Sequence, residues 1–366
     1  FEHSVLCKLA CYLKQEELHL QEGILPPLPR VSREEPQLLS FAQQRLWFIE
    51  QLLPNSELYH NVYRFKIKGK LNIDALRKAL DSLVNRHESL RTVIMDVEGV
   101  ALQKILPEGI GFDLREGSND IERFLKEPFQ LEQAPACRGL LIKSSEQEHL
   151  LFLVFHHIII DDWSMDIFYK DLNVFYQAYS QDQVLSIPSL SNHYIDYSVW
   201  QREWLKGDIL EKQLSYWKAQ LREVSRLELP TDYPRPKELS YDGGCVRRKL
   251  SKELLTHLQS FSHTQGVTLF MSLLASIQGF LGRYCNQTDI SIGTPIANRR
   301  VSEVEGVIGF FVNTLVLRSH VDDNPSFKAL LKRVENTTLS AYEHQDVPFE
   351  QLVEALQVPR ELNRNP

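Results

Sequence analysis

The spacing of apolar residues along this 366-residue chain changes repeatedly between the period of a strand and that of a helix. Tyr63, Phe65 and Ile67 alternate with basic residues, which is typical of a strand with one solvated face. The segment NIDALRKALDSLVNRH has helical spacing, and LLFLVF at 150–155 is apolar on both faces, as a buried central strand is. This alternation predicts a mixed α/β architecture, and the length indicates two lobes.

Prolines and changes of pattern divide the chain into four predicted parts. Residues 1–20 have the pattern of a short helix, and 21–37 form an extended, proline-rich linker. The first lobe then covers 38–205 and the second covers 206–366.

Charge and cysteine content exclude several classes of protein. The 41 basic and 48 acidic residues give a net charge of −7, so no basic field recruits nucleic acid or an anionic membrane surface. No apolar run approaches the ~18 residues that a membrane span needs. The five cysteines are scattered without a C-x-x-C pair, so neither a zinc ribbon nor a disulfide framework is indicated. We therefore expect a cytoplasmic location.

The segment FHHIIIDDWS is the strongest candidate for chemistry. His156 and His157 follow the buried strand, and neighbouring side chains on an extended segment face opposite ways, so only one of them can face a given cavity. Histidine suits proton transfer near neutral pH. The alternative is two structural histidines followed by a helix N-cap from Asp161, Asp162 or Ser164. No metal site is indicated, because the segment offers no third ligand at a natural spacing.

Other catalytic motifs do not occur in the sequence. It has no phosphate-binding G-x-x-x-x-G-K-[ST] loop, no G-x-G-x-x-G and no G-x-S-x-G nucleophile elbow. Any catalysis must therefore use a substrate that arrives already activated.

Seven segments together resemble the motifs of condensation domains of nonribosomal peptide synthetases. HHIIIDDWS resembles the His-His-x-x-x-Asp-Gly-x-Ser signature of that family. The other six occur in the family's order: SFAQQRLWFIEQL, RHESLRT, YIDYSVWQ, IGTPIANR, IGFFVNTLVLR and HQDVPFEQLV. The resemblance covers residues from about 38 to 366, and seven ordered matches make coincidence very improbable.

The resemblance implies a fold, a reaction and partners. The fold is a V-shaped pair of chloramphenicol-acetyltransferase-like lobes with the histidine motif in a tunnel between them. The reaction is amide formation, in which the amine of a carrier-bound aminoacyl thioester attacks an upstream acyl thioester. Substrates come on the phosphopantetheine of upstream and downstream peptidyl carrier domains, so the chain itself binds no cofactor. An adenylation domain of the same module is a further implied partner.

The resemblance also assigns roles to individual residues. His157 matches the catalytic histidine, which accepts or orients the amine proton or stabilises the tetrahedral species. His156 matches a structural histidine. Asp161 matches the motif acid, which is implied to form a structural ion pair with Arg299, within ~4 Å.

Several further residues are candidates for support or substrate contact. Arg86 and Arg91 match motif arginines that support the site, although both could equally be solvated charges at a helix end. Asn313 lies in an apolar segment and must find a polar partner. Tunnel or substrate contacts could come from Asp162, Trp163, Ser164 and Asn313. Four aromatic residues are expected in the core rather than at the substrate: Trp47, Trp163, Trp200 and Phe311.

One position departs from the family pattern. Asp162 stands where the family has glycine, which adds bulk and negative charge beside the implied tunnel. Trp163 and Ser164 after it resemble the subclass that joins an L-configured donor to an L-acceptor. Two alternatives remain open: a catalytically impaired domain that only docks carriers or a tailoring enzyme, and a free-standing acyltransferase.

The two ends of the chain carry further expectations. FEHSVLCKLACYL at the start resembles the last helix of a peptidyl carrier domain. The second lobe is expected to be incomplete, with Leu315 and Leu317 of a predicted strand over 309–318 more exposed than core residues. The chain expressed alone would then be poorly soluble or inactive.

Overall fold

The chain folds into two compact units, each built from more than one stretch of sequence. The first, here called the histidine unit, contains Leu28–Lys206 and Ala297–Asn313. The second unit contains the described residues up to Pro27, Gly207–Ile296 and the described residues from Thr314 onward. The predicted carrier helix over 1–20 lies outside the described residues. The computed structural model describes residues 25–53, 56–117, 120–133, 135–183, 187–234, 243–322 and 324–358.

The histidine unit alternates strands and helices, as the apolar spacing predicts. Its strands are β1 (Gln37–Leu38), β2 (His60–Lys68), β3 (Thr92–Val97), β4 (Val100–Ile105), β5 (Asp113–Glu116), β6 (Cys137–Ser145) and β7 (Glu148–His156). Its helices are α1 (Phe41–Leu52), α2 (Ile73–Arg86), α3 (Ile121–Lys126), α4 (Asp162–Ser180) and α5 (Tyr194–Trp204). Short 3₁₀ turns cover Glu88–Arg91, His157–Ile159 and Ser302–Val304.

Strand β7 lies inside a four-stranded sheet with the order β2-β7-β6-β5. Its apolar run is buried on both faces, which confirms the prediction of a central strand for 150–155. Strand β2 pairs antiparallel with β7 in a register that places His60 opposite His156. The sheet therefore fixes the end of β7, where the histidine motif begins. The other sheet of this unit has the order β1-β4-β3.

The histidine unit begins earlier than position 38, the start that the sequence suggests for the first lobe. Val31 N–H donates to Asp196 Oδ1 at 2.8 Å, and Arg33 Nη2 donates to Asp196 Oδ2 at 2.8 Å. Arg33 also lies 3.0 Å from Glu88 Oε2. Part of the predicted linker is thus held in the histidine unit by hydrogen bonds and ion pairs with residues that lie far away in the sequence.

The second unit packs helices against a two-stranded sheet. Its elements are α6 (Gly207–Gln220), α7 (Lys252–Thr264), α8 (Leu269–Cys285), β8 (Asp289–Ile296), β9 (Asn313–His320), α9 (Phe327–Glu343) and α10 (Phe349–Ala355). Strand β9 begins at Asn313, so residues 309–312 are not part of the predicted strand over 309–318. The expectation of exposed Leu315 and Leu317 is wrong: each is 1% exposed, because side chains from α8 and α9 cover them in one core cluster.

Five of the exposed apolar residues of the second unit lie along one side of α8. They recur at helical spacing and comprise Phe270, Leu273, Ile277, Phe280 and Tyr284. Within the described ranges, no single helix is long and apolar enough to cross a membrane, and α7 with α8 passes that test only as a pair bent by 100°.

Candidate active site

The histidine motif forms a rigid turn between β7 and α4. His156 ends the strand, the 3₁₀ turn His157–Ile159 follows, and Asp161 is the N-cap of α4. Backbone hydrogen bonds hold both ends of this connection: His156 N–H donates to Ala136 O at 2.9 Å, and His157 N–H donates to Tyr59 O at 2.8 Å. The two histidine rings are therefore presented by backbone that the neighbouring strands fix.

The ring of His157 has a defined tautomer. Its Nδ1 lies 2.7 Å from the carbonyl oxygen of Ile160. A carbonyl can only accept, so Nδ1 carries a proton, and in the neutral ring Nε2 keeps its lone pair. The ring is half-buried and lies 4.7 Å from the ring of Phe310. Nε2 of His157 is thus a base held in a fixed orientation.

The ring of His156 has the opposite tautomer. It is 1% exposed, and its Nδ1 accepts the N–H of Ile158 at 3.2 Å. The proton of the neutral ring must then be on Nε2, which lies 3.6 Å from Glu50 Oε2. Burial lowers the pKa of His156, which keeps the ring neutral. These contacts make His156 a structural member of the turn.

Asp161 uses its carboxylate to join α4 to the segment 297–313. Oδ1 accepts the N–H of Ser164 at 2.8 Å, and Oδ2 accepts the N–H of Phe311 at 3.0 Å. Arg299 Nη2 donates to Oδ1 at 3.2 Å, which confirms the predicted distance of the pair. The carboxylate is fully buried and its oxygens are occupied, so it is placed to hold structure rather than to transfer a proton.

Arg299 reinforces the same junction. Besides Asp161, its guanidinium donates to Ser164 Oγ at 2.7 Å and to Val307 O at 2.7 Å. It also lies over the ring of Phe311 at 3.9 Å. Burial lowers the pKa of Arg299, while Asp161 opposes that shift. The pair explains why 297–313 belongs to the histidine unit although it lies far along the chain.

Asp162 occupies an ordinary helical position. It is the first residue of α4 and does not have the positive φ that would favour glycine. Its exposed side chain accepts the hydroxyl of Tyr63 at 3.1 Å. A negative charge at a helix N-terminus is favourable. The departure from the family's glycine therefore costs this turn no backbone strain.

Two neighbours of Asp162 face opposite environments. Trp163 is 49% exposed and donates its Nε1–H to Glu305 O at 3.2 Å, so its predicted place in the core is wrong. It lies in the first turn of α4, where Ser164 and Met165 face the interior instead.

The other residues expected in the core differ in burial. Trp200 and Phe311 are buried as predicted, whereas Trp47 is only half-buried. Asn313, a candidate for substrate contact, is buried at the start of β9.

The two motif arginines bind groups within the histidine unit and are not solvated charges at a helix end. Arg86 donates to Asp171 at 2.9 Å and to Pro188 O at 2.8 Å. Arg91 is buried and donates to Leu106 O. The alternative of solvated charges is therefore wrong for both.

The sequence interpretation missed two contributors to the site on α1. Gln43 forms a capping box with Ser40, and its Nε2 also donates to Ile158 O at 3.2 Å. Glu50 was not considered. The sequence feature that could have identified Gln43 and Glu50 is their separation of seven residues, which places both side chains on one face of a helix. Among the residues that the structure describes, no cluster of His, Cys, Asp or Glu could hold a metal ion.

Comparisons with known proteins agree with this geometry. The family model of the Condensation domain matches residues 33–366. One subunit of the linear gramicidin synthase of Brevibacillus parabrevis is 45% identical over 355 residues, which are 93% of this chain and 7% of the relative. Malpibaldin synthetase of Mortierella alpina is 43% identical, over 93% of this chain and 6% of the relative. The chain thus spans less than a tenth of the length of these relatives.

Solved structures show the same fold. The X-domain from teicoplanin biosynthesis matches with a TM-score of 0.84 at 28% identity, covering 93% of this chain and 78% of that one. The first condensation domain of the calcium-dependent antibiotic synthetase, in complex with a substrate analogue, matches with a TM-score of 0.71 at 23% identity, covering 89% and 78%. The α/β fold is the chloramphenicol-acetyltransferase-like fold of these domains. This chain belongs to the condensation domain family.

Proposed function

We propose that this condensation domain forms an amide bond between a carrier-bound acyl or peptidyl thioester and the amine of a carrier-bound aminoacyl thioester. The observation that carries the proposal is the tautomer of His157. Its Nδ1–H donates to Ile160 O at 2.7 Å, so in the neutral ring the lone pair is on Nε2, and the turn that presents it is rigid. A base with this fixed orientation is what deprotonation of an attacking amine needs.

The reaction needs little more than such a base. The amine nitrogen attacks the thioester carbonyl, a C–N bond forms and the C–S bond breaks. His157 Nε2 takes the proton that the nitrogen loses, and the leaving thiolate receives a proton in turn. Because the thioester is already activated, neither a protein nucleophile nor a phosphate-binding loop is required. The absence of both motifs from the sequence supports this chemistry.

Site residues around His157 divide by role in this proposal. Asp161 and Arg299 support the turn and do not take part in the chemistry, which their burial and mutual hydrogen bond favour. Asp162 and Trp163 are exposed beside the motif and are the candidates for substrate contact. Ser164 and Asn313 are buried, which favours structural roles for them.

Partners and context follow from the family. We propose that upstream and downstream peptidyl carrier domains deliver both substrates on phosphopantetheine, that an adenylation domain loads the acceptor carrier, and that the reaction takes place in the cytoplasm. The motif order His-His-x-x-x-Asp, with Trp163 and Ser164 after it, favours L-configured donor and acceptor residues. The assignment of residues 1–20 to a carrier domain belongs to the same proposal.

Substitution of His157 tests the proposal. In the native polypeptide with donor and acceptor carriers loaded, His157→Ala should lower the single-turnover rate of dipeptide formation by ~10²–10⁴-fold with an unchanged melting temperature, as expected for loss of a general base. Mass spectrometry of the carrier-bound product gives the rate. Wild-type turnover by the variant would contradict the role of His157. No product from the folded wild-type domain would favour the docking alternative instead.

A further inference from the structure

Helix α1 contacts the histidine turn through two polar side chains on one face. Gln43 is buried, its Oε1 accepts the N–H of Ser40 at 3.2 Å, and its Nε2 donates to Ile158 O at 3.2 Å. Seven residues later, Glu50 faces His156, and its side chain is only 11% exposed. A nearly buried carboxylate is costly unless it meets a donor. Its position therefore calls for a specific partner.

His156 supplies that partner because of its tautomer. Its Nδ1 accepts the N–H of Ile158, so Nε2–H must point at an acceptor, and Glu50 Oε2 lies 3.6 Å from Nε2. The ring neighbours of His156 are aromatic: Tyr59 and His60 at 6.4 Å and Phe129 at 6.2 Å between centroids. Among the ring and ionic contacts of His156 that the structure describes, Glu50 is the anionic group.

We propose that Glu50 is a positioning residue for His157, a role that rests on the proposed function of that histidine. The Nε2–H of His156 faces Glu50 Oε2 at 3.6 Å, which is longer than a normal hydrogen bond, and this nearby acceptor favours the proton on Nε2. His156 Nδ1 can then accept the N–H of Ile158, while Gln43 holds the carbonyl of the same residue. Ile158 is thereby held at both its amide and its carbonyl, next to His157 in the chain. The ring that performs the chemistry is thus oriented from α1, without direct contact with Glu50.

Three variants separate positioning from packing. Glu50→Leu keeps the volume but removes the acceptor, and we expect kcat for dipeptide formation to fall by ~10–100-fold, with KM for both carriers within about twofold, because a small misplacement of a catalytic group has a large effect on rate. Glu50→Gln retains an acceptor oxygen and should stay within about threefold of wild type. Gln51→Leu, an exposed neighbour on the same helix, is the matched control and should behave as wild type.

Nitrogen-15 NMR of selectively labelled histidines gives a readout independent of activity. Wild type should show His156 protonated on Nε2, and Glu50→Leu should shift His156 away from that single tautomer. Protonation of His156 on Nδ1 in wild type would overturn the proposal even if Glu50→Leu fails to fold. So would unchanged kcat in folded Glu50→Leu, or equal losses in the Leu and Gln variants. Failure of the wild-type domain to form any amide would instead refute the proposed function, and the tautomer would still report on Glu50.

Discussion

His156 and His157 are adjacent in the chain, yet the two sides of their turn differ in almost every physical respect. On one side His156 is 1% exposed, faces Glu50 and is protonated on Nε2. On the other side His157 is half-buried beside Phe310, and its Nδ1–H is committed to Ile160 O. Two residues of the same type therefore differ in role: His156 is a structural donor, and His157 is an available base.

The difference is set by backbone geometry rather than by residue type. His156 still belongs to β7, whereas His157 starts the 3₁₀ turn, so the two rings leave the chain in different directions. Each tautomer matches the backbone group nearest to Nδ1, an N–H for His156 and a carbonyl for His157, and at His156 the proposed role of Glu50 adds to this on the Nε2 side. Substitutions on one side of the turn should therefore have measurable effects on the stability or activity that depends on the other side.

The largest effect on stability is expected from the support beneath the turn. Asp161→Asn leaves Arg299 as an unpaired buried charge and presents an amide donor near the N–H of Phe311, so we expect a loss of about 3–5 kcal/mol in the free energy of unfolding. Dipeptide formation should fall with it. Chemical denaturation measures the loss, and the exposed Asp166→Asn on the same helix is the control. An inactive variant with wild-type stability would place Asp161 in the chemistry.

A smaller loss is expected on the buried side of the comparison. His156→Leu leaves the N–H of Ile158 without its acceptor and removes the ring N–H that faces Glu50, which should lower the free energy of unfolding by about 1–3 kcal/mol. Activity should decrease but remain measurable, because His157 keeps its own hydrogen bond to Ile160. Thermal unfolding and single-turnover assays check this. A loss of rate as complete as that of His157→Ala would erase the distinction between the two histidines.

The smallest effect is expected at Asp162. Asp162→Gly removes a favourable charge at the N-terminus of α4 and the acceptor for Tyr63, so stability should fall by about 0.3–1 kcal/mol. The rate of amide formation should be maintained or improved, since the side chain is exposed and the backbone needs no glycine. Melting curves and product formation are the measurements. A severe loss of activity would show that the carboxylate makes a required substrate contact.

Local elements were predictable from the sequence because short-range pattern determines them. The strand with Tyr63, Phe65 and Ile67 and the helix in NIDALRKALDSLVNRH are present as predicted. One of the three N-cap candidates before α4, Asp161, has that role. The Asp161–Arg299 pair could not come from pattern alone, since 138 residues separate its members. It came only from resemblance to a family.

Other features depend on tertiary contacts that spacing does not encode. The aromatic pattern around Trp163 is typical of a core helix, yet this residue lies in the first turn of α4 and is exposed. The proline-rich segment suggests a spacer, but Arg33 pairs with Asp196, 163 residues away. Glu50 follows Phe48 and Ile49, and nothing in the sequence indicates that its carboxylate lies beside the buried ring of His156.

The opposite tautomers of the two adjacent histidines can be observed by nitrogen-15 NMR of the wild-type protein. The chemical shifts of the ring nitrogens report which of them carries the proton, and single His156→Gln and His157→Gln variants assign the signals. We predict opposite tautomers for the two neutral rings, with His156 protonated on Nε2 and His157 on Nδ1. If His157 instead carries its proton on Nε2, the lone pair that the proposed chemistry needs is absent, and His157 cannot be the base.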